Sequence, residues 1–327
     1  MKYTDNEMSV ILLNSYIGLT ADSDIKPLSL GEWSKFFDAV LKAKVEPRIV
    51  YNSDGQDLKN MGYDQQFVDR INRLVDRGAA VGFELQEYEK KGIHLITEIN
   101  KSYPVMLKKQ LKNKKPPVLF YTGDLELAKK IGIGVVGSRN VSEEGIQFTK
   151  ELVQKASMEK LIIYSGGARG VDTVSENTAL SSGGAVVSYI ADSLTSKIKK
   201  PAVASNIANG AMLLFSDQKP DAGFSVGRAM NRNKFIYASA YGTFVVESDY
   251  NKGGTWTGAT EAIKNGLGKV FVHENNLVGN KKIIEQGGVP YHISDKGLYD
   301  TISEGSTNDI AEHASYKQMD IFSLLKN

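Results

Sequence analysis

The chain has no cysteine among its 327 residues. Disulfides, thiolate nucleophiles and cysteine-based metal sites are therefore excluded. Histidine is scarce as well: the sequence holds four, His94, His273, His292 and His313, and no two have the spacing of zinc ligands on one helix. No metal site and no cofactor is expected. No apolar run approaches the ~18 residues of a membrane-spanning helix, and the stretch from Met1 to Glu7 lacks the pattern of a secretion signal. A cytoplasmic protein with no membrane partner is the expectation. Charge excess is missing too: 40 Lys and Arg stand against 38 Asp and Glu, a net charge of +2. Any polyanion must therefore be met by a local patch, because the molecule has no global positive field. No internal repeat or low-complexity segment is evident.

What is present falls into three stretches. Residues 1–92 read as a helical domain. Ser29 and Glu32 form a capping box, and behind it Trp33, Phe36, Phe37, Val40 and Leu41 recur at helical spacing. A second helix is expected from Asp64, with Phe67, Ile71, Leu74, Val75, Val81 and Leu85 on one side and Gly92 as its stop. From residue 93 to about 300, apolar runs alternate with amphipathic helices, which is the sign of a parallel sheet with crossover helices. The strand candidates are Ile93–Thr97, Val118–Tyr121, Ile131–Val136, Leu161–Ser165, Ala185–Ile190, Met212–Phe215, Thr243–Glu247 and Val270–His273. Ser142 is placed to cap one intervening helix, and Pro201 and Gly210 bracket another. Residues 301–327 read as a polar tail with one short helix.

The chemistry is carried by glycine-rich turns that follow strands. Gly137-Ser138-Arg139-Asn140 is the first, and Gly166-Gly167-Ala168-Arg169-Gly170 the second. Gly253-Gly254-Thr255-Trp256 lies beyond the strand that starts at Thr243. In a parallel sheet such turns gather at the carboxyl edge, where open α/β folds bind ligands. Bare amides and the next helix N-terminus favour an anion there, and Arg139 and Arg169 add full charge. Asp172 is expected to cap the helix after the second turn. A fourth segment, Gly227–Lys234, packs Arg228, Arg232 and Lys234 with Asn231 and Asn233 into eight residues, a mixture suited to phosphate and sugar. Its plainer reading is a solvated charged turn. Trp256 is a candidate for base stacking, with domain packing as the alternative. Lys197, Lys199 and Lys200 could extend the basic surface. Gly132-x-Gly134-x-x-Gly137 formally fits a dinucleotide fingerprint. Its first two glycines sit within the strand, however, and no acidic residue ends the following strand, so a nicotinamide site is rejected.

Taken in order, these pieces resemble the DNA-processing protein A family, also called DprA or Smf. The resemblance runs from Gly92 to Tyr291. It is carried by Tyr103-Pro104, Pro117–Asp124, Val135–Asn140, Tyr164–Asp172, Met212–Ser216, Arg232-Asn233-Lys234 and Gly254–Ala259. The resemblance implies an extended Rossmann-like domain, mostly parallel with helices on both faces, preceded by a small helical domain. It implies binding of single-stranded DNA, delivery of that DNA to a RecA-type recombinase, a role in DNA uptake or recombination, and a homodimer. Two positions depart from the family pattern: Lys234 stands where arginine is usual, and Thr255-Trp256 replaces a serine-rich turn. The C-terminal winged-helix module of many members is not expected.

The resulting expectation is binding without catalysis. Ser138, Arg139, Arg169, Arg228, Asn231, Arg232, Asn233, Lys234 and Thr255 would surround one strand of DNA. Backbone amides of Gly137, Gly166, Gly167 and Gly254 would line the same pocket and hold its phosphates. Counterion release would make such binding sequence-tolerant and salt-sensitive. The alternative comes from another class. Lysine-decarboxylase-like (LOG) nucleotide hydrolases are similar in their glycine-glycine-x-glycine-threonine turn and helical glutamate, here Gly253-Gly254-Thr255 and Glu261. That reading makes the chain an N-glycosidic hydrolase of nucleoside monophosphates, or a nucleotide-signal sensor in a defence system. It requires a carboxylate beside the ribose, with Glu247 and Asp249 as further candidates.

Overall fold

A computed structural model describes residues 3–304 apart from 21 and 53. The expected tail at 301–327 lies almost wholly outside these residues, as does His313. The described residues fall into two compact units, one of residues 3–103 with 113–120, the other of 104–112 with 121–304. In chain order the elements are α1 (Asp5–Asn14), α2 (Leu30–Lys42), α3 (Gln56–Asn60), α4 (Gln65–Val75), α5 (Gly78–Lys90), β1 (His94–Thr97), α6 (Val105–Leu111), β2 (Val118–Thr122), β3 (Gly132–Val136), α7 (Glu143–Met158), β4 (Ile162–Ser165), α8 (Val171–Ser181) and β5 (Val186–Tyr189). They continue with α9 (Leu194–Ile198), α10 (Pro201–Ala208), β6 (Met212–Ser216), α11 (Val226–Ser239), β7 (Gly242–Val245), α12 (Gly253–Asn265), β8 (Lys269–His273), α13 (Val278–Glu285), β9 (Val289–Tyr291) and α14 (Leu298–Ser303). Among the described residues no helix is long and apolar enough to cross a membrane.

The first unit is helical because its amphipathic faces close on one another. Capping boxes at Thr4/Glu7 and Ser29/Glu32 satisfy the first amides of α1 and α2. Trp33, Phe36 and Val40 are buried, while Phe37 and Leu41 are half-buried. Phe36 meets Tyr63 and Phe67, whose rings stack at 4.2 Å. The single helix expected from Asp64 to Gly92 is in fact two, α4 and α5. The chain breaks at Arg77, whose buried guanidinium donates to the carbonyls of Leu12, Ser15, Ile17 and Leu74. Four carbonyls that would otherwise be orphaned near the ends of α1 and α4 find partners this way, and burial lowers the Arg77 pKa to about 10.

The second unit is an α/β layer structure. Seven strands run parallel in the order β6-β5-β4-β3-β7-β8-β9. Apart from the edge strand β9, the strands are buried along almost their whole length, which explains their unbroken apolar runs. From β3 the chain steps outward through β4 and β5 to β6, then returns to the other side of β3 and continues through β7 and β8 to β9. The order therefore reverses between β3 and β7. Such a switch point opens a crevice outside the carboxyl ends of the strands. Helix α11 carries the chain back to it, starting at Ser225, whose hydroxyl accepts from the Arg228 amide at 3.1 Å.

Candidate functional site

At the switch point lies a cavity of about 500 Å³. Gly137, Ser138, Arg139 and Asn140 enter it from the turn after β3. Ala168 and Asp172 come from the turn after β4 and the start of α8. Ala229, Met230, Arg232, Asn233, Ile236 and Tyr237 come from one face of α11. Asp249, Lys252, Gly253, Gly254 and Thr255 close it from the β7–α12 side. The volume lies within the roughly 300–1,000 Å³ typical of small-molecule pockets.

The first two turns are in backbone contact. Gly170, at φ +76°, lies so close to the Ser138–Arg139 peptide that a Cβ there would come 2.2 Å from the Ser138 carbonyl oxygen. That carbonyl also accepts from the Val171 amide at 3.2 Å. Gly170 therefore caps α8, and Asp172 is a first-turn residue, correcting the expectation that it was the cap. Asp172 instead reaches back to accept from the Ala168 amide at 3.2 Å and faces Arg232, with Oδ2 3.9 Å from Nη1. Burial raises the Asp172 pKa, against the pull of Arg232. Burial likewise lowers that of Arg232, against Asp172 and Glu176.

The second turn is held from within. The Gly167 amide donates to Glu176 Oε1 at 2.9 Å, and Lys197 Nζ donates to the Gly167 carbonyl at 3.0 Å. Ser188 Oγ supports Glu176 at 2.7 Å. The amide of Gly167 is thus committed inside the protein, and Lys197 serves the turn. Gly166 makes room for Arg232. Of the second turn only Ala168 lines the cavity; Gly166 and Gly167 do not, and neither does Arg169, contrary to the expectation that it joined the pocket. Arg169 itself is exposed on that turn.

Segment 227–234 is helical, so α11 separates its polar residues onto two faces. Arg232 and Asn233 face the cavity, where Asn233 Nδ2 donates to the Gly254 carbonyl at 3.1 Å. Asn231 and Lys234 turn away: Asn231 donates to Asp217 Oδ2 at 3.2 Å and accepts from Lys234 Nζ at 2.7 Å. Arg228 donates to the Gly223 carbonyl at 2.6 Å and does not line the cavity. The solvated charged turn is replaced by a helix with one cation buried in it. Arg232 is 4% exposed, and neither its Nε nor its Nη1 has a hydrogen-bond partner.

The third turn opens α12, whose N-cap Lys252 offers no side-chain hydrogen bond to the first amides. The amides of Gly253, Gly254 and Thr255 stand at that end, beside the cavity. Trp256 is buried and packs edge-on against Tyr250 at 5.0 Å, and it does not line the cavity. Glu261 lies more than two turns into α12 and is exposed. The Glu247 carboxylate accepts from the Ser142 amide and hydroxyl. Neither glutamate lines the cavity; Asp172 and Asp249 do. Among the described residues no cluster of His, Asp and Glu has the arrangement of a metal site.

Nothing in the sequence pointed to one residue that Arg139 touches. Phe224 is 54% exposed, and the exposed guanidinium of Arg139 sits over its ring, 5.4 Å from the centroid. In sequence Phe224 simply precedes the helix cap Ser225, where a hydrophobic staple is the ordinary reason for an apolar residue. Nothing local marks it as part of a site.

Comparisons with known proteins identify the family of this chain. A sequence profile described as DNA recombination-mediator protein A matches residues 94–303, which hold all the turns above. DNA processing protein DprA of Bacillus subtilis is 29% identical over 211 residues, 62% of this chain and 69% of that protein. The Streptococcus pneumoniae DprA is 39% identical over 79 residues, 24% of this chain and 28% of that one. The X-ray structure of S. pneumoniae DprA superposes with a TM-score of 0.66 at 22% identity, covering 89% of this chain and 95% of that one. DprA of Helicobacter pylori, a protein described for its single-stranded DNA binding mode, gives a TM-score of 0.53 at 22% identity over 66% and 96% of the two chains. These two likenesses show a shared fold. Since the profile covers well over half of the sequence and every turn that builds the cavity, the chain belongs to the DNA recombination-mediator protein A family.

Proposed function

We propose that this DNA-processing family member binds single-stranded DNA across the switch-point cavity, without catalysing a reaction on it. One observation carries the reading: an exposed guanidinium that lines the cavity, Arg139, rests on an exposed aromatic ring, Phe224. Cation and ring side by side suit a nucleic acid with free bases, because every base has a π-face and every linkage an anion. Lys252 and the uncapped amides of α12 add positive potential on the opposite wall. The single-stranded DNA binding described for the H. pylori relative supports the same substrate. The family resemblance adds delivery of the strand to a RecA-type recombinase, and a homodimer, to the proposal.

The test is a fluorescence titration with a short labelled oligonucleotide at two salt concentrations. Binding should weaken steeply with salt, and an unlabelled single strand should compete far better than a duplex of the same sequence. Equal competition by duplex would overturn the reading. Incubation with nucleoside monophosphates should release no free base; release would favour the hydrolase alternative.

A further inference from the structure

The sequence beyond α14 changes character partway along. Among the eleven residues 305–315, Ile310 is the single large apolar one, whereas Tyr316, Met319, Ile321, Phe322, Leu324 and Leu325 fall within the next ten. The tail expected to be polar therefore contains an apolar segment. That segment lies outside the described residues, but the described ones fix where it departs from the sheet. The Leu298 and Tyr299 amides at the start of α14 each donate to the Glu159 carboxylate at 2.8 Å, just ahead of β4. Leu298 and Ile302 are buried, and a Cβ on Gly242, the first residue of β7, would come 3.1 Å from Cγ2 of Ile302. Helix α14 is thus tied to the amino-terminal edge of the sheet, while the switch-point cavity opens at the carboxyl-terminal edge. From Glu304 the chain can carry Gln318 at most about 50 Å away.

Large apolar side chains grouped in this way gain free energy by leaving water. An anionic membrane surface suits them poorly, since Lys317 and Lys326 stand against Asp309, Glu312 and Asp320. A groove on a protein suits them better, because a short peptide binds by sinking a few anchors into preformed pockets. Gln318-Met319-Asp320-Ile321-Phe322 has the anchors for one. Ile321 and Phe322 are an adjacent aliphatic and aromatic pair, and Gln318, three residues earlier, brings a carboxamide that both donates and accepts. A glutamine followed at that spacing by an aliphatic residue and a phenylalanine matches the peptide groove of bacterial DNA sliding clamps, a deep apolar pocket beside a polar rim. We infer that Gln318–Phe322 docks this protein on a ring-shaped DNA sliding clamp, with Ile321 and Phe322 in the pocket and the Gln318 carboxamide at the rim. The inference does not rest on the single-strand reading, and the tether at α14 leaves the cavity open while the clamp is held.

The test uses the full chain and, as probe, the purified sliding clamp of Bacillus subtilis, the source of one relative named above. Size-exclusion chromatography should show a complex, and calorimetry should give its affinity. I321A/F322A should weaken it about thirtyfold, the loss expected of a buried anchor pair. Q318A should weaken it about tenfold, and K317A should change nothing. No complex with the wild-type chain, or a complex that survives I321A/F322A, overturns the inference. I321A/F322A should melt at the wild-type temperature and bind a labelled oligonucleotide like the wild type. A lowered melting temperature would overturn the inference by showing that these side chains pack on their own chain. Vesicles of phosphatidylcholine and phosphatidylglycerol should not sediment the protein; sedimentation that I321A/F322A abolishes would overturn the inference in favour of a membrane surface.

Discussion

Gly166 and Arg232 compete for one space: a Cβ on Gly166 would sit 1.2 Å from Nη1 of Arg232. The glycine of the second turn therefore serves the close approach of a buried side chain rather than an anion. Alanine at 166 must push the guanidinium aside, and Asp172 then loses the cation 3.9 Å from it. Overpacking of a filled site costs about 1–3 kcal/mol, so G166A should lower the melting temperature. The cost should be strongly non-additive with truncation of Arg232, because the two changes act on one contact. A double-mutant cycle with R232A checks this; additive losses would show that the two residues do not share the space.

Arg139 is the cation best placed to meet a phosphate, being exposed and beside the amides of the first turn. R139A should weaken binding of all single strands alike, about tenfold. One lost phosphate contact should reduce the slope of log K against log salt by about 0.7. Titrations at three salt concentrations measure both. An unchanged slope would mean that Arg139 contacts no phosphate. R139K should recover only part of the affinity, since an ammonium cannot reproduce the planar fork.

Phe224 should act through stacking, so its loss has a different signature. F224A is expected to cost about 1–3 kcal/mol of binding, the usual worth of a base on an aromatic ring, with the salt slope unchanged. F224Y should bind like the wild type. A steep change in slope for F224A would point instead to mispositioning of Arg139, whose guanidinium rests on that ring.

The parallel sheet was legible because strands buried on both faces read as unbroken apolar runs, Ile131–Val136 and Met212–Phe215 among them. The glycine turns were legible because β3 and β4 each end on one. What escaped was the direction of side chains. Arg228, Asn231, Arg232, Asn233 and Lys234 are adjacent in sequence, and read as a loop they would all reach one ligand. On a helix their spacing leaves Arg232 and Asn233 at the cavity and turns Arg228, Asn231 and Lys234 to other partners. The two amides of the second turn were also indistinguishable in sequence from free anion donors. Only the fold brings Glu176, nine residues on, beneath Gly167. Arg77 broke the expected long helix for a similar reason, since three of the four carbonyls it satisfies lie some sixty residues earlier in the chain.

The first unit offers a test of stability independent of any ligand. Glu32 completes the capping box of α2 by accepting from the Ser29 amide at 2.7 Å, and it also accepts from Arg70 Nη1 at 2.7 Å. The hydrogen bond from Arg70, more than the cap itself, lowers its pKa from 4.5 to about 2. A carboxylate whose folded pKa is depressed adds stability above its unfolded pKa and loses it as pH falls through the folded value. The contribution of Glu32 is therefore complete above pH 4.5 and fades toward pH 2. E32Q should melt below the wild type at pH 7, and the gap should close as pH falls through that window. The gap should also shrink in high salt, because the pair is partly open to solvent. Melting curves followed by far-UV circular dichroism from pH 7 to pH 2 measure this, and a gap that stays constant with pH would show that Glu32 carries no charge-dependent stability.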